Sequence, residues 1–237
     1  MAHRLDHPLS IDGAVGAALD FAVAAKAISA ATNATPIVVT STAHGFVDGQ
    51  VVNITGVTVN TAVNGVFIVA SKADDTFALT DRDGVDIAGN GVYGTGGSIW
   101  PVACATPAVG DAFDIERINI IAGNNSAPTS GEYVGEPALS VGMKLQVRRG
   151  SGIVSDLTPQ AVTFWNQWAL YAGVDVPLTD LTAGHVDASA RWTFSKSAHE
   201  DALFIGPTDW LCLIVSDDLS ALVYHQACVQ GHEFAVA

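Results

Sequence analysis

Short β-branched runs broken by turn residues set the pattern of the second quarter of the chain, Ile28 to Trp100. Ile37-Val38-Val39-Thr40, Val51-Val52-Asn53-Ile54-Thr55, Val66-Phe67-Ile68-Val69 and Phe77-Ala78-Leu79-Thr80 each read as a strand, because Val, Ile, Thr and Phe suit a pleated backbone. Between them lie His44-Gly45-Phe46, Asp48-Gly49, Asn64-Gly65, Asp83-Gly84, Asn90-Gly91 and Gly94-Thr95-Gly96-Gly97. Asn-Gly and Asp-Gly pairs supply the positive φ that tight hairpins need, so the segment reads as an all-β module built of hairpins. It holds eight charged residues and no constellation that looks chemical.

Further on, Ala112 to Ile121 alternates loosely at period two and runs into Ala122-Gly123-Asn124-Asn125-Ser126, which with Pro128 and Gly131 reads as an extended loop. Lys144 to Arg148, Arg191 to Ser195 and Trp210 to Val215 follow as strands. Leu222 to Val229 is expected to complete a hairpin with Trp210 to Val215 across Ser216-Asp217-Asp218-Leu219-Ser220. Antiparallel strands with long loops predict a β-sandwich or jelly roll. One helix fits residues 159–172: Thr158 as cap, Pro159 at the first position, Gly173 at the end, and Ala161, Phe164, Trp165, Trp168 and Tyr171 on one face. A strand fits the same stretch through Val162, Phe164, Trp168 and Leu170.

The division that follows is an alanine-rich arm over 1–26, a β module over 27–101, and a β-sandwich-like domain over 102–237. The arm is either a docking extension or the first strand of the larger domain. Val102-Ala103-Cys104-Ala105-Thr106-Pro107 reads as the exit of the module. The module is expected to be inserted in the larger domain, with its ends close together, and to be removable without unfolding the rest.

Thr32 to Thr40, Ala43-His44-Gly45-Phe46, Asp48-Gly49-Gln50-Val51-Val52, Ile54-Thr55-Gly56-Val57, Asn60 to Gly65 and Thr76-Phe77-Ala78-Leu79 together resemble the small FCCH-like β-domain. That module takes its name from ubiquitin-activating enzymes and recurs as an accessory in tail and virion proteins of tailed bacteriophages. The resemblance covers about a third of the chain, residues 28–100. It implies a small β-barrel and a phage structural setting. It carries no catalytic residues, and nothing here resembles adenylation or thioester machinery.

Composition adds limits. Of 237 residues 49% are hydrophobic and 14% charged, which fits a folded chain with a large core and argues against disorder. The net charge of −14 is spread, about −1 over the arm, −4 over the module and −9 over the rest. An acidic surface repels phosphate backbones and anionic membranes, so direct nucleic-acid and membrane roles are not expected. Cys104, Cys212 and Cys228 form no disulfide framework and no zinc spacing; Cys212 and Cys228 lie in apolar runs as buried thiols. The predicted hairpin sets Cys212 opposite Tyr224 and so disfavours a bridge to Cys228. The apolar stretch Gly13 to Ala25 is short, carries Asp20 and follows acidic residues, which fits neither a signal peptide nor a membrane span.

Candidate chemistry is sparse. Trp165, Trp168, Tyr171 and Trp192 are the candidates for stacking on sugar rings, and large aromatics equally pack β cores. Asp74-Asp75, Asp217-Asp218 and Asp81-Arg82-Asp83-Gly84-Val85-Asp86 fall short of the oxygen count that calcium needs and read as turns. His3, His7, His44, His185, His199, His225 and His232 are scattered, and His199-Glu200-Asp201 and Gly231-His232-Glu233 lack a second histidine at helical spacing, so no zinc-protease motif exists. Gly89-Asn90-Gly91-Val92-Tyr93-Gly94 matches the dinucleotide-binding string but opens no helix, and reads as a hairpin turn. No catalytic, cofactor or metal residue is singled out. The expectation is a non-enzymatic structural component of a tailed-phage virion: an external accessory, capsid decoration or cement or tail-associated. It would be assembled in the host cytoplasm, bound to other virion proteins and self-associated, as a trimer or lattice. The alternative is a module of the particle that recognises a host-surface glycan.

Overall fold

Backbone pairing in the computed structural model is antiparallel throughout, over residues 3–8, 25–123, 143–157, 174–176, 187–193, 203–216 and 224–236, which the structure describes. The strands are β1 (His3–Pro8), β2 (Lys26–Ala27), β3 (Ala30–Ala31), β4 (Val38–Thr40), β5 (Val51–Thr55) and β6 (Gly65–Ala70). Then come β7 (Thr76–Thr80), β8 (Ser98–Ala105), β9 (Asp111–Gly123), β10 (Met143–Arg149) and β11 (Gly152–Asp156). The last are β12 (Val174–Val176), β13 (Asp187–Thr193), β14 (Leu203–Ile205), β15 (Asp209–Val215) and β16 (Tyr224–Ala235). One 3-10 turn, Thr61–Val63, is the sole helical element among the described residues. The fold is mainly β, consistent with a sandwich-like arrangement of antiparallel sheets. The stretch 159–172, helix or strand by sequence, lies outside the described residues.

Two sheets organise these strands. One has six, in the order β1-β16-β9-β13-β12 with β14 also on β9. The other has ten, in the order β11-β10-β15-β8-β5-β6-β7-β4-β3 with β2 on β8. The module's core lies on one face of the larger sheet, where Ile37, Val39, Val52, Ile54, Val63, Phe77, Leu79 and Ile99 have essentially no exposure. Period-two alternation puts Val51, Val66 and Ile68 on the opposite face. There they pack with Val102, Cys104, Trp210, Cys212 and Ile214 into a second core. Strands β5 and β6 are therefore apolar on both sides, which is why they read as nearly continuous apolar runs.

Strand β8 joins the two regions. Its first half pairs with β5, from Thr55↔Ser98 to Val52↔Pro101, and its second half with β15, from Ile214↔Val102 to Leu211↔Ala105. The division drawn at 101/102 falls inside this strand, and Val102–Ala105 is ladder rather than exit. The module's two ends do lie side by side, through Lys26↔Ile99 and Ala27↔Ser98.

Several pairings differ from the sequence expectation. Strand β16 does not form a hairpin with β15: it crosses to the other sheet and pairs with β9 and β1. The thirteen-residue β9 offers a far longer partner, from Tyr224↔Gly123 to Ala235↔Asp111, than the seven residues of β15. Strand β15 is flanked on both edges already, by β10 and β8. The arm supplies β1 as an edge strand on β16, so residues 3–8 belong to the sheet of the larger domain. Ala122 and Gly123 continue β9 instead of opening the loop.

Candidate functional site

Buried charge collects in one place among the described residues: the seam where β10, β15 and β8 meet the end of β7. Register places Gln146, Cys212 and Cys104 in a row across three neighbouring strands. Arg148, two residues on from Gln146, shares its face and is buried, with Trp210 as its cross-strand partner. Its Nη1 donates to Gln146 Oε1 at 2.8 Å and its Nη2 to the Ser151 carbonyl at 2.7 Å. Gln146 Nε2 in turn donates to Asp156 Oδ2 at 3.4 Å.

Arg82 enters from the turn after β7. Its guanidinium donates to the carbonyls of Asp209 and Pro207, the latter at 3.1 Å. At the head of β15 the buried Asp209 takes Arg149 in a two-point contact, Nε to Oδ1 at 2.6 Å and Nη2 to Oδ2 at 3.0 Å. Asp209 Oδ2 also accepts the Gly206 amide at 3.3 Å. Burial lowers the guanidinium pKa of Arg82 and of Arg148, while the hydrogen bond to Asp209 raises that of Arg149. All three stay protonated at any working pH, so none transfers protons. The arginines act here as fixed multi-donor ties between chain segments.

Cys104 and Cys212 face each other across β8 and β15 with Sγ–Sγ 3.3 Å, both as free thiols. Burial, then the facing Cys212 thiol, pushes the Cys104 thiol well up, against the opposing pull of Arg148 and Arg82. Cys228 sits on the other sheet, opposite Asn119 and Pro8. The sequence expectation that Cys212 faces Tyr224 fails with the hairpin on which it rested.

The remaining candidates resolve into structural roles or lie outside the described residues. Asp81 Oδ1 accepts the amides of Asp83 and Val85, which is turn chemistry, while Asp75 Oδ1 accepts the amide of Ala43, a tie between segments far apart in sequence. No group of three metal-ligating side chains occurs among the described residues. His44 is buried, accepts the Phe46 amide on Nδ1 and meets the Ala73 carbonyl through Nε2, so its ring carries its proton on Nε2. His232 lies 3.6 Å from Glu116 on the exposed faces of β16 and β9.

The Gly89-to-Gly94 string forms no phosphate cradle. Its glycines let one loop press against another: a Cβ at Gly89 would sit 2.8 Å from Asn33 Cα, and one at Gly94 would sit 2.5 Å from Thr58 Oγ1. Asn60 and Asn90 tie the same loops, through Asn60 Oδ1 to the Asn90 amide and Asn90 Oδ1 to the Ala62 amide. Trp192 stands on β13 in register with Ile118 and Val174. Trp165, Trp168 and Tyr171 lie outside the described residues, as do Asp217, Asp218, His185 and His199.

Sequence reasoning missed the facing cysteines and the Arg82, Arg149 and Asp209 ties. Its available signal was the alternation in Val102 to Ala105 and in Leu211 to Ile214, which sets each cysteine on an apolar face. No helix among the described residues is long and apolar enough to cross a membrane. The chain matches no protein-family model and no curated protein.

Proposed function

We propose that this protein is a non-enzymatic structural component of a tailed-phage virion, an external accessory that decorates the capsid or sits on the tail. The observation that carries the reading is the FCCH-like pattern of residues 28–100, a module that recurs in such particles. Three features support it. The module is continuous with a larger β region through one shared strand, an arrangement that suits a part held in a fixed geometry. The charged groups buried at the seam act as ties between chain segments. The acidic surface suits contact with other proteins better than with nucleic acid. Its partners are other virion proteins and further copies of itself, since symmetric particles reuse one interface many times.

The test is the location of the chain. Purified particles, analysed by peptide mass spectrometry and by imaging of the intact particle, should contain it at a fixed copy number. A chain found in infected cells and never in particles would overturn the proposal.

A further inference from the structure

We propose that Cys104 and Cys212 are an oxidation site, a dithiol that a small peroxide converts to a cross-strand disulfide stapling β8 to β15. Neither the proposed function nor a particle is needed for this inference, which stands on geometry alone.

The two residues are directly opposed in an antiparallel ladder, with Leu213↔Ala103 and Leu211↔Ala105 on either side. Opposed Cα atoms in such a ladder lie about 4.5–5.5 Å apart, inside the roughly 4.4–6.8 Å span of natural disulfides. Both side chains point to the same face and already bring their sulfurs to 3.3 Å. Bond formation asks for a further approach of about 1.3 Å, which side-chain rotation can supply without moving the strands. Cys228 stands on the other sheet, opposite Asn119 and Pro8.

The chemistry balances with peroxide as oxidant. One cysteine loses its proton, its sulfur attacks a peroxide oxygen, the O–O bond breaks, and a sulfenic acid and one water result. The second thiol attacks that sulfenic sulfur, its proton leaves with the hydroxyl as a second water, and the S–S bond forms. Two thiols are oxidised by two electrons and one peroxide is reduced. Access limits the rate: Cys104 is 8% exposed and Cys212 is fully buried, which admits a small peroxide and keeps out bulky disulfides. Burial raises the Cys104 thiol, so reaction is slow, and the nearby guanidiniums of Arg148 and Arg82 partly restore the thiolate.

A bond here closes a loop of 108 residues that contains most of the module-facing seam. Cross-links over loops of that length stabilise chiefly by restricting the unfolded chain. The thermal midpoint should therefore rise by roughly 5–15 °C.

The experiment uses the full chain carrying Cys228→Ser, which removes the third thiol and leaves the pair untouched. After hydrogen peroxide treatment, unfolding and alkylation, the protein should have lost two hydrogens and taken no alkyl group. Digestion should yield one peptide pair joining Cys104 to Cys212, and dithiothreitol should reverse both this link and the rise in midpoint. The companion variant with Cys212→Ala, checked for native circular dichroism, should show neither link nor rise. Free alkylation of both cysteines after an exposure that fully oxidises the unfolded chain would overturn the proposal. So would oxygen addition to either sulfur without linkage, or an equal rise in midpoint in the Cys212→Ala protein.

Discussion

Excising the module tests how far the second core depends on it. The mildest excision removes residues 28–97 and joins Ala27 to Ser98 through a short Gly/Ser turn, since those two residues are already neighbours across β2 and β8. Strand β8 and its pairing to β15 are kept, and what is lost is the cover supplied by Val51, Val66 and Ile68. Trp210, Ile214 and Val102, now 1%, 3% and 0% exposed, would then face water. Full burial of a large apolar side chain is worth about 1.5–3 kcal/mol, so three of them represent about 5–9 kcal/mol. Losing half of that cover costs about 3–4 kcal/mol, against a total stability of about 5–15 kcal/mol for a typical domain. The two carbonyl ties from Arg82 go as well. The excised protein is therefore expected to lose cooperative unfolding in urea, followed by far-ultraviolet circular dichroism, and to bind an apolar dye in the absence of denaturant. A single cooperative transition at the midpoint of the full chain, with no dye binding, would refute the reasoning and restore the view of a removable module.

Other outcomes follow from single sites. Phe77→Ala empties the centre of the module core, where Phe77 has no exposure and meets His44 edge-on at 5.0 Å, and should cost about 3–5 kcal/mol in a denaturant melt. Gly231→Ala places a Cβ against the Asp114 carbonyl oxygen and 2.9 Å from Ile115 Cα at the register shift of β16, so it should cost about 3 kcal/mol. Gly152→Ala, whose new Cβ meets nothing closer than 3.5 Å, should shift the same thermal melt little, and equal effects at the two sites would contradict the close approach at Gly231. Deleting residues 1–8 removes β1 and bares the edge of β16, so light scattering at rising concentration should show added self-association together with a lower melting midpoint. An unchanged midpoint would return the arm to the role of a docking extension.

Local structure was largely readable from the residues. Strand β5 runs from Val51 to Thr55 as its β-branched pattern implies, and β10 and β15 extend by a residue or so beyond the stretches that alternate most clearly. Turn chemistry at Asp81 was legible too, because aspartate at a strand end accepts nearby amides, whereas the bond of Asp75 to the distant Ala43 amide was not. Pairing was not. Pro101 looks like a breaker, yet it stands where β8 passes from β5 to β15, a change of partner that no local window contains. The β15 and β16 runs are close in sequence and look like a hairpin, and only the length of β9 and the occupied edges of β15 decide otherwise. The facing of Cys104 and Cys212 depends on that same register between strands 108 residues apart, so composition alone could not supply it.

The pairing of β1 with β16 bears on the timing of folding during synthesis. His3 meets Glu233 and Pro8 meets Cys228, so β1 leaves the ribosome long before its partner β16 is made. At roughly 5–20 residues per second the wait is on the order of tens of seconds. Throughout that time the six-stranded sheet lacks its edge, and the backbone groups of residues 3–8 stay with water or a chaperone. The module between Ile28 and Trp100 has all of its strand partners nearby and can fold first. Synthesis thus completes the strand pairing of the module before β16 arrives to join β1 to the six-stranded sheet.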